Sequence, residues 1–182
     1  MIVSKKIRSK FGQLKVLKEI QKLDVHREVV SFQDAEKIGI LYDAGDIQDY
    51  EAVKNYVKTL RSQYKKDVLA LGYFDKKVLP PELFAQYGLD FFTRKDLDFR
   101  MIPNDPIVSN FIENRFDILV NLDSGKCFPL RYIATVSRSR FRIGRYDKKY
   151  LSSYDMLLDI RDNPDIKTII EEMHKFLQQI KP

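Results

Sequence analysis

At 182 residues, with a formal net charge of +6, 44% hydrophobic residues and only 7 Gly and 7 Pro, the chain has the make-up of one folded domain, which excludes a collagen-like, low-complexity or extensively disordered protein. A single cysteine, Cys127, excludes an intramolecular disulfide, and no apolar run reaches the roughly 18 residues of a membrane span. With no signal-peptide-like apolar core ahead of the first charges, a reducing cytoplasm is the expected compartment.

Residues 1–25 read as a basic amphipathic helix. Over about residues 4–23, Ile7, Phe11, Leu14, Leu17 and Ile20 recur at spacings of three and four with a lysine-rich back. Such a stripe must be covered, by the chain's own sheet, by a second copy in a homodimer, or by an anionic membrane surface. Moderate aliphatics without tryptophan favour the first two.

Residues 26–182 read as a single domain of alternating strands and helices. "REVVSF" at 27–32 is a short strand candidate, and "KIGILYDAGD" at 37–46 is a strand entering an acidic, glycine-containing loop. The next segment places Tyr50, Val53, Val57, Leu60 and Tyr64 on one helical face. "DVLALGYF" follows as a strand, then "PPELFAQYG" as a short helix with proline at its start and Gly88 past its end. "LDFFTRKDL" is a strand and "NDPIVSNFIENR" a helix with Asp105 and Pro106 at its cap and first positions. It leads into the strand "FDILVNLD", the helix "PLRYIATVS", the strands "RFRIGRY" and "YDMLLDI", and a closing helix up to Ile180. Alternating units of this length predict a three-layer, Rossmann-like α/β domain with a mostly parallel sheet, plus the extra amphipathic helix in front.

Such sheets hold ligands at the carboxyl ends of strands where the winding reverses. If residues 37–44 and 116–123 flank that reversal, Asp43, Gly45 and Asp46 face Asn121, Asp123, Ser124, Gly125 and Lys126 across one crevice. Carboxylates there can act on a hydroxyl or bind a cation, while backbone N–H groups near Gly125 and the Lys126 ammonium can take an anion such as a nucleotide or sugar phosphate. The competing reading is that Asp46, Asp123 and Ser124 cap the helices that follow. "DSGKC" ends like a phosphate-binding P-loop, but that pattern needs glycine where Val120 stands and a hydroxyl where Cys127 stands. With only His26 and His174, far apart, no metal or cofactor is implied and no catalytic motif is complete. His174 reads as helix surface and Cys127 as a small buried thiol.

The second concentration of positive charge lies at residues 126–150, where eight basic residues face one acidic residue. Arg138, Arg140 and Arg142 alternate with Ser139, Phe141 and Ile143, so a strand would put three guanidinium groups on one face, with Arg145 nearby. Their partner is either nucleic-acid phosphate or the protein's own carboxylates. Two function classes follow: a binder of a small anionic ligand in the crevice, or a non-enzymatic module docking through its basic segments on nucleic acid, a protein partner or an anionic membrane.

"ILYDAGDIQDYEAV" and "FDILVNLDSGKCFPLRYIATVSRSRFRIGRY" are similar to two stretches in the first domain of heptosyltransferase-type glycosyltransferases, a likeness that implies an acceptor-facing role for Gly45 and Asp46. That family needs a second domain to hold the sugar nucleotide, for which this chain has no length. As a whole the chain resembles a small family of bacterial α/β proteins classed as a domain of unknown function, which implies no activity.

Overall fold

The computed structural model describes residues 5–123, 127–160 and 165–181. Six strands, β1 (Lys37–Asp43), β2 (Asp67–Phe74), β3 (Leu89–Thr93), β4 (Ile118–Asn121), β5 (Phe141–Arg145) and β6 (Met156–Leu158), form one sheet in the order β3-β2-β1-β4-β5-β6. Every neighbouring pair is parallel. The expected Rossmann-like architecture is therefore present, with the reversal between β1 and β4, where Ile38 lies opposite Val68 on one side and Ile118 on the other.

The helices are α1 (Lys5–Ile20), α2 (Ile47–Ser62), α3 (Pro106–Glu113), α4 (Phe128–Val136) and α5 (Ile166–Leu177). A strand's side chains alternate between faces, and β1 divides its own accordingly. Ile38, Ile40 and Tyr42 join α2 residues Tyr50, Val53 and Leu60 and α5 residues Ile169, Met173 and Leu177 in one core. Leu41 joins Leu71, Phe111, Leu130 and Ile133 in the other, under α3 and α4. Burial on both faces is why the strand sequences are nearly continuous apolar runs. Asp46, Asp105 and Asp165 start α2, α3 and α5, each accepting a hydrogen bond from a first-turn N–H.

Three expectations are corrected. Residues 27–32 form no strand; Val30 and Phe32 are buried beneath the sheet instead, and the Glu28 N–H reaches the Arg140 carbonyl at 3.1 Å. Residues 80–88 make turns rather than a helix: only Leu83 of this stretch is inserted into the core, so no helical face is available to bury. The apolar stripe of α1 does not pack on the chain's own sheet. Ile7, Phe11, Leu14 and Leu17 are all exposed, between 49% and 60%, while the opposite side of the helix meets α4. No helix among the described residues is long and apolar enough to cross a membrane.

Candidate functional site

The crevice is built by three chain ends converging at the sheet reversal. β1 runs out at Asp43, whose Oδ1 accepts the Gly45 N–H at 2.9 Å and so closes the tight turn into α2. Asp46, in extended conformation, accepts the Gln48 N–H at 2.8 Å and caps that helix. On the neighbouring strand, the Leu122 N–H still pairs with the Leu41 carbonyl at 2.8 Å. Beyond it the Asp123 Oδ2 accepts the Cys127 N–H at 3.1 Å, at the start of α4. The third wall is the beginning of α5, where Asp165 accepts the Thr168 N–H at 2.9 Å.

Together these ends enclose an opening of about 370 Å³. Asp43, Asp46, Asp49, Asp123 and Asp165 line it with Gly45, Leu122, Ile166 and Ile169, and Arg145 contributes the one basic side chain among the described residues. Burial raises the pKa of Asp49, and the carboxylates of Asp46, Asp43 and Asp165 push it the same way. The Asp165 carboxyl is held below its ordinary value by the Thr168 N–H it accepts. Arg145 donates to the Ile160 carbonyl at 3.0 Å, which fixes it at the rim.

Asp43, Gly45, Asp46 and Asp123 thus share the crevice anticipated from sequence. Asn121 does not face it. It is buried, donates through Nδ2 to the Tyr154 hydroxyl at 2.7 Å, and accepts the Asp123 N–H at 3.0 Å, so it shapes the turn from beneath. Ser124, Gly125 and Lys126 lie outside the described residues. Sequence reasoning did not place Asp49, Leu122, Asp165, Ile166 and Ile169 in the crevice. Asp165 was readable as a helix cap, but nothing local tells that α5 returns over the reversal beside α2. Arg145 was noticed as part of a basic run, although its place at the end of the strand next to β4 makes it a crevice residue.

The arginine run separates into unrelated contacts. Arg138 pairs with Glu113 at 2.7 Å, and Arg140 with Glu28 at 2.6 Å and Asp117 at 2.8 Å. Arg142 is buried, pairing with Asp155 at 2.8 Å and donating to the Thr135 carbonyl at 3.2 Å. The three guanidinium groups do not form one open face, because Arg138 and Arg140 precede β5 and line a surface opening with Arg115, whereas Arg142 lies inside the strand and is buried.

Burial pushes the Cys127 thiol well above its ordinary pKa, and the carboxylates of Asp123, Asp43 and Asp75 push it further. That is the opposite of an activated nucleophile. His174 is not plain helix surface. It packs edge-on against Phe32 and Tyr56, with Nδ1 at 3.1 Å from the Tyr56 hydroxyl and Nε2 at 3.1 Å from that of Tyr64. Among the described residues no cluster of three or more His, Cys, Asp and Glu is arranged to hold a metal ion.

The model of a family of unknown function (DUF6913) matches residues 8–180, and the chain belongs to that family. No curated protein and no solved structure matches it.

Proposed function

We propose that the protein is a small-ligand-binding α/β domain of the cytoplasm, and that its ligand, a sugar phosphate or nucleotide, occupies the crevice between the ends of β1 and β4. The observation that carries this reading is the composition of that opening. At the strand-order reversal, where open parallel sheets bind ligands, about 370 Å³ holds several hydroxyl acceptors and, among the described residues, a single guanidinium. The volume suits a compact metabolite.

The sign of the wall sets the ligand's orientation. Five carboxylates disfavour a bare anion and favour hydroxyl donors, whereas Arg145 is the one described place where a phosphoryl group meets positive charge. A sugar bearing one phosphoryl group satisfies both, with hydroxyls toward Asp46 and Asp49 and the phosphoryl toward Arg145. Asp49 suits the first task, because a carboxyl whose ionised form is already disfavoured gains from a donated hydrogen bond. The reading is of binding rather than catalysis, since the nearby thiol is held protonated and both histidines lie elsewhere.

A thermal-shift series with sugar phosphates, nucleotides, uncharged sugars and inorganic phosphate tests it. A ligand at 100 times its dissociation constant adds about 2.7 kcal/mol of stability. Phosphorylated sugars or nucleotides should raise the melting temperature and inorganic phosphate should not. Arg145→Gln should abolish the preference for the phosphorylated form, and Asp49→Asn should weaken both forms. No response from any compound, or an unchanged preference in Arg145→Gln, refutes the proposal.

A further inference from the structure

The orientation of α1 is the reverse of what an amphipathic helix in a globular domain adopts. Its packed side carries one aliphatic side chain, Val16, against the core, and is otherwise small and polar. Gly12 lies so close to the body that a Cβ there would stand 2.5 Å from Phe128 Cζ and 2.6 Å from the Arg100 carbonyl oxygen. Arg8 Nε donates to the Phe99 carbonyl at 2.7 Å, and the Tyr132 hydroxyl donates to Glu19 at 2.6 Å. These contacts fix the rotation of the helix about its axis. At 100° per residue they leave Ile7, Phe11 and Leu14 pointing away from the domain, with Leu17 exposed at the edge of the opening between α1 and α4.

Charge on the outward side has one sign. Lys10 and Lys18 are exposed among the apolar residues, and Lys22 is exposed just past the helix end. The helix has a single carboxylate, Glu19, and that is turned inward to Tyr132 and pairs with Lys15 at 3.2 Å. The outer surface therefore offers four large apolar side chains interleaved with unopposed ammonium groups.

We infer that this outer face of α1 docks on an anionic lipid surface. Two features select that occupant. A second copy of the chain, meeting the face about a two-fold axis, would bring lysines against lysines with no acid on either side to separate them. A nucleic-acid backbone would satisfy the lysines and leave the aliphatic side chains in water. A bilayer interface takes both: the apolar residues enter the headgroup–acyl boundary while lysine stems extend to the phosphates. This docking is independent of any ligand in the crevice.

The experiment is co-flotation of the full chain with vesicles of phosphatidylcholine alone and of phosphatidylcholine mixed with phosphatidylglycerol, at low and high salt. Binding is expected to the mixed vesicles only, and to fall as salt screens the lysines. Lys10→Gln combined with Lys18→Gln should lower the partition coefficient by about 25-fold, at about fivefold per lysine. Phe11→Ser with Leu14→Ser should remove binding while leaving the circular dichroism and melting temperature unchanged, since both side chains are already exposed. Absence of binding to either vesicle overturns the inference, whether the protein is then monomeric or forms a dimer that Leu14→Ser disrupts. Binding that survives loss of the aliphatic side chains also overturns it, because such attraction needs only net positive charge.

Discussion

Replacing Asp155 with alanine should be among the most damaging single changes in this fold, although the residue lies outside the crevice. Arg142 reaches the interior beneath α4 with its side chain only 9% exposed, and Asp155, at 22%, is its counter-ion. The pair is bidentate: Nη2 meets Oδ1 at 2.8 Å and Nε meets Oδ2 at 3.0 Å, and the same Oδ2 accepts the Arg142 backbone N–H at 2.9 Å. A second guanidinium is close by. Burial, and then the charge of Arg142, lower the pKa of Arg27 to about 10, with Asp155 acting in the opposite direction. Without Asp155, two neighbouring cations and one buried N–H lose their shared partner. Breaking one side of a fully buried pair costs about 3–5 kcal/mol; with Asp155 partly exposed the low end, about 3 kcal/mol, applies, still a large part of the roughly 5–15 kcal/mol that holds a domain folded. The melting temperature should fall by roughly 6–12 °C, at about 2–4 °C per kcal/mol for a chain of this size. Urea unfolding followed by far-ultraviolet circular dichroism measures the loss directly. The double variant Arg142→Met, Asp155→Leu should recover the part of the loss that comes from the stranded Arg142 guanidinium, while the backbone N–H of residue 142 and Arg27 stay without Asp155. A loss below about 1 kcal/mol for Asp155→Ala, the value of an exposed pair, refutes the reasoning.

Tyr42 is fully buried and its hydroxyl has no hydrogen-bond partner among the described residues, so Tyr42→Phe should stabilise the protein by up to about 2 kcal/mol. A destabilisation of similar size in urea titration would mean that the hydroxyl has a partner after all. Burial lowers the pKa of His174, so the unfolded chain, with an ordinary value of about 6.5, takes up its proton first on acidification. The resulting stability is complete above about pH 6.5 and is lost as the pH falls through the lower folded value. His174→Gln should flatten the stability curve in this range, above the pH at which carboxylates such as Glu28 and Asp117 begin to protonate. A slope that persists in the variant would assign it to other groups.

The parallel sheet was legible because its central strands are buried on both faces. Ile38 to Tyr42 and Ile118 to Asn121 have no exposed side, and a nearly continuous apolar run of strand length between helical segments fits a doubly covered strand and little else. Caps were equally readable: Asp105 followed by Pro106 marks a helix start on chemistry alone. Tertiary choice was not. Residues 80–88 carry a proline start and a glycine end, yet Gly88 takes φ 75° to close a turn, with the Gln86 and Leu89 backbones paired to each other. For α1, periodicity located the apolar stripe correctly but could not say which side would be packed. Gly12 decided that, because a face without a Cβ lets the helix approach Phe128 and the Arg100 carbonyl more closely than the aliphatic side chains would allow.

The same distinction separates informative residues in the crevice from those the fold demands. A parallel sheet needs acceptors wherever a strand gives way to a helix, so acidic residues accumulate along its carboxyl edge whether or not anything binds there. Asp46, Asp123 and Asp165 each accept a helix-start N–H, and Asp43 accepts that of Gly45. Their presence in the sequence therefore follows from the fold without a ligand, and the Gly45–Asp46 likeness to a sugar transferase falls on residues with structural duties. Asp49 and Arg145 are different. Asp49 lies in the first turn of α2, where the helix dipole favours an acid, yet it faces a crevice in which burial and three carboxylates disfavour its charge. Arg145 ends β5 beside them, at a position no cap requires. Arg145 has a structural bond of its own, to the Ile160 carbonyl, but no cap accounts for a guanidinium beside a carboxyl whose charge burial disfavours, and under the proposed function that pair is where specificity is to be sought.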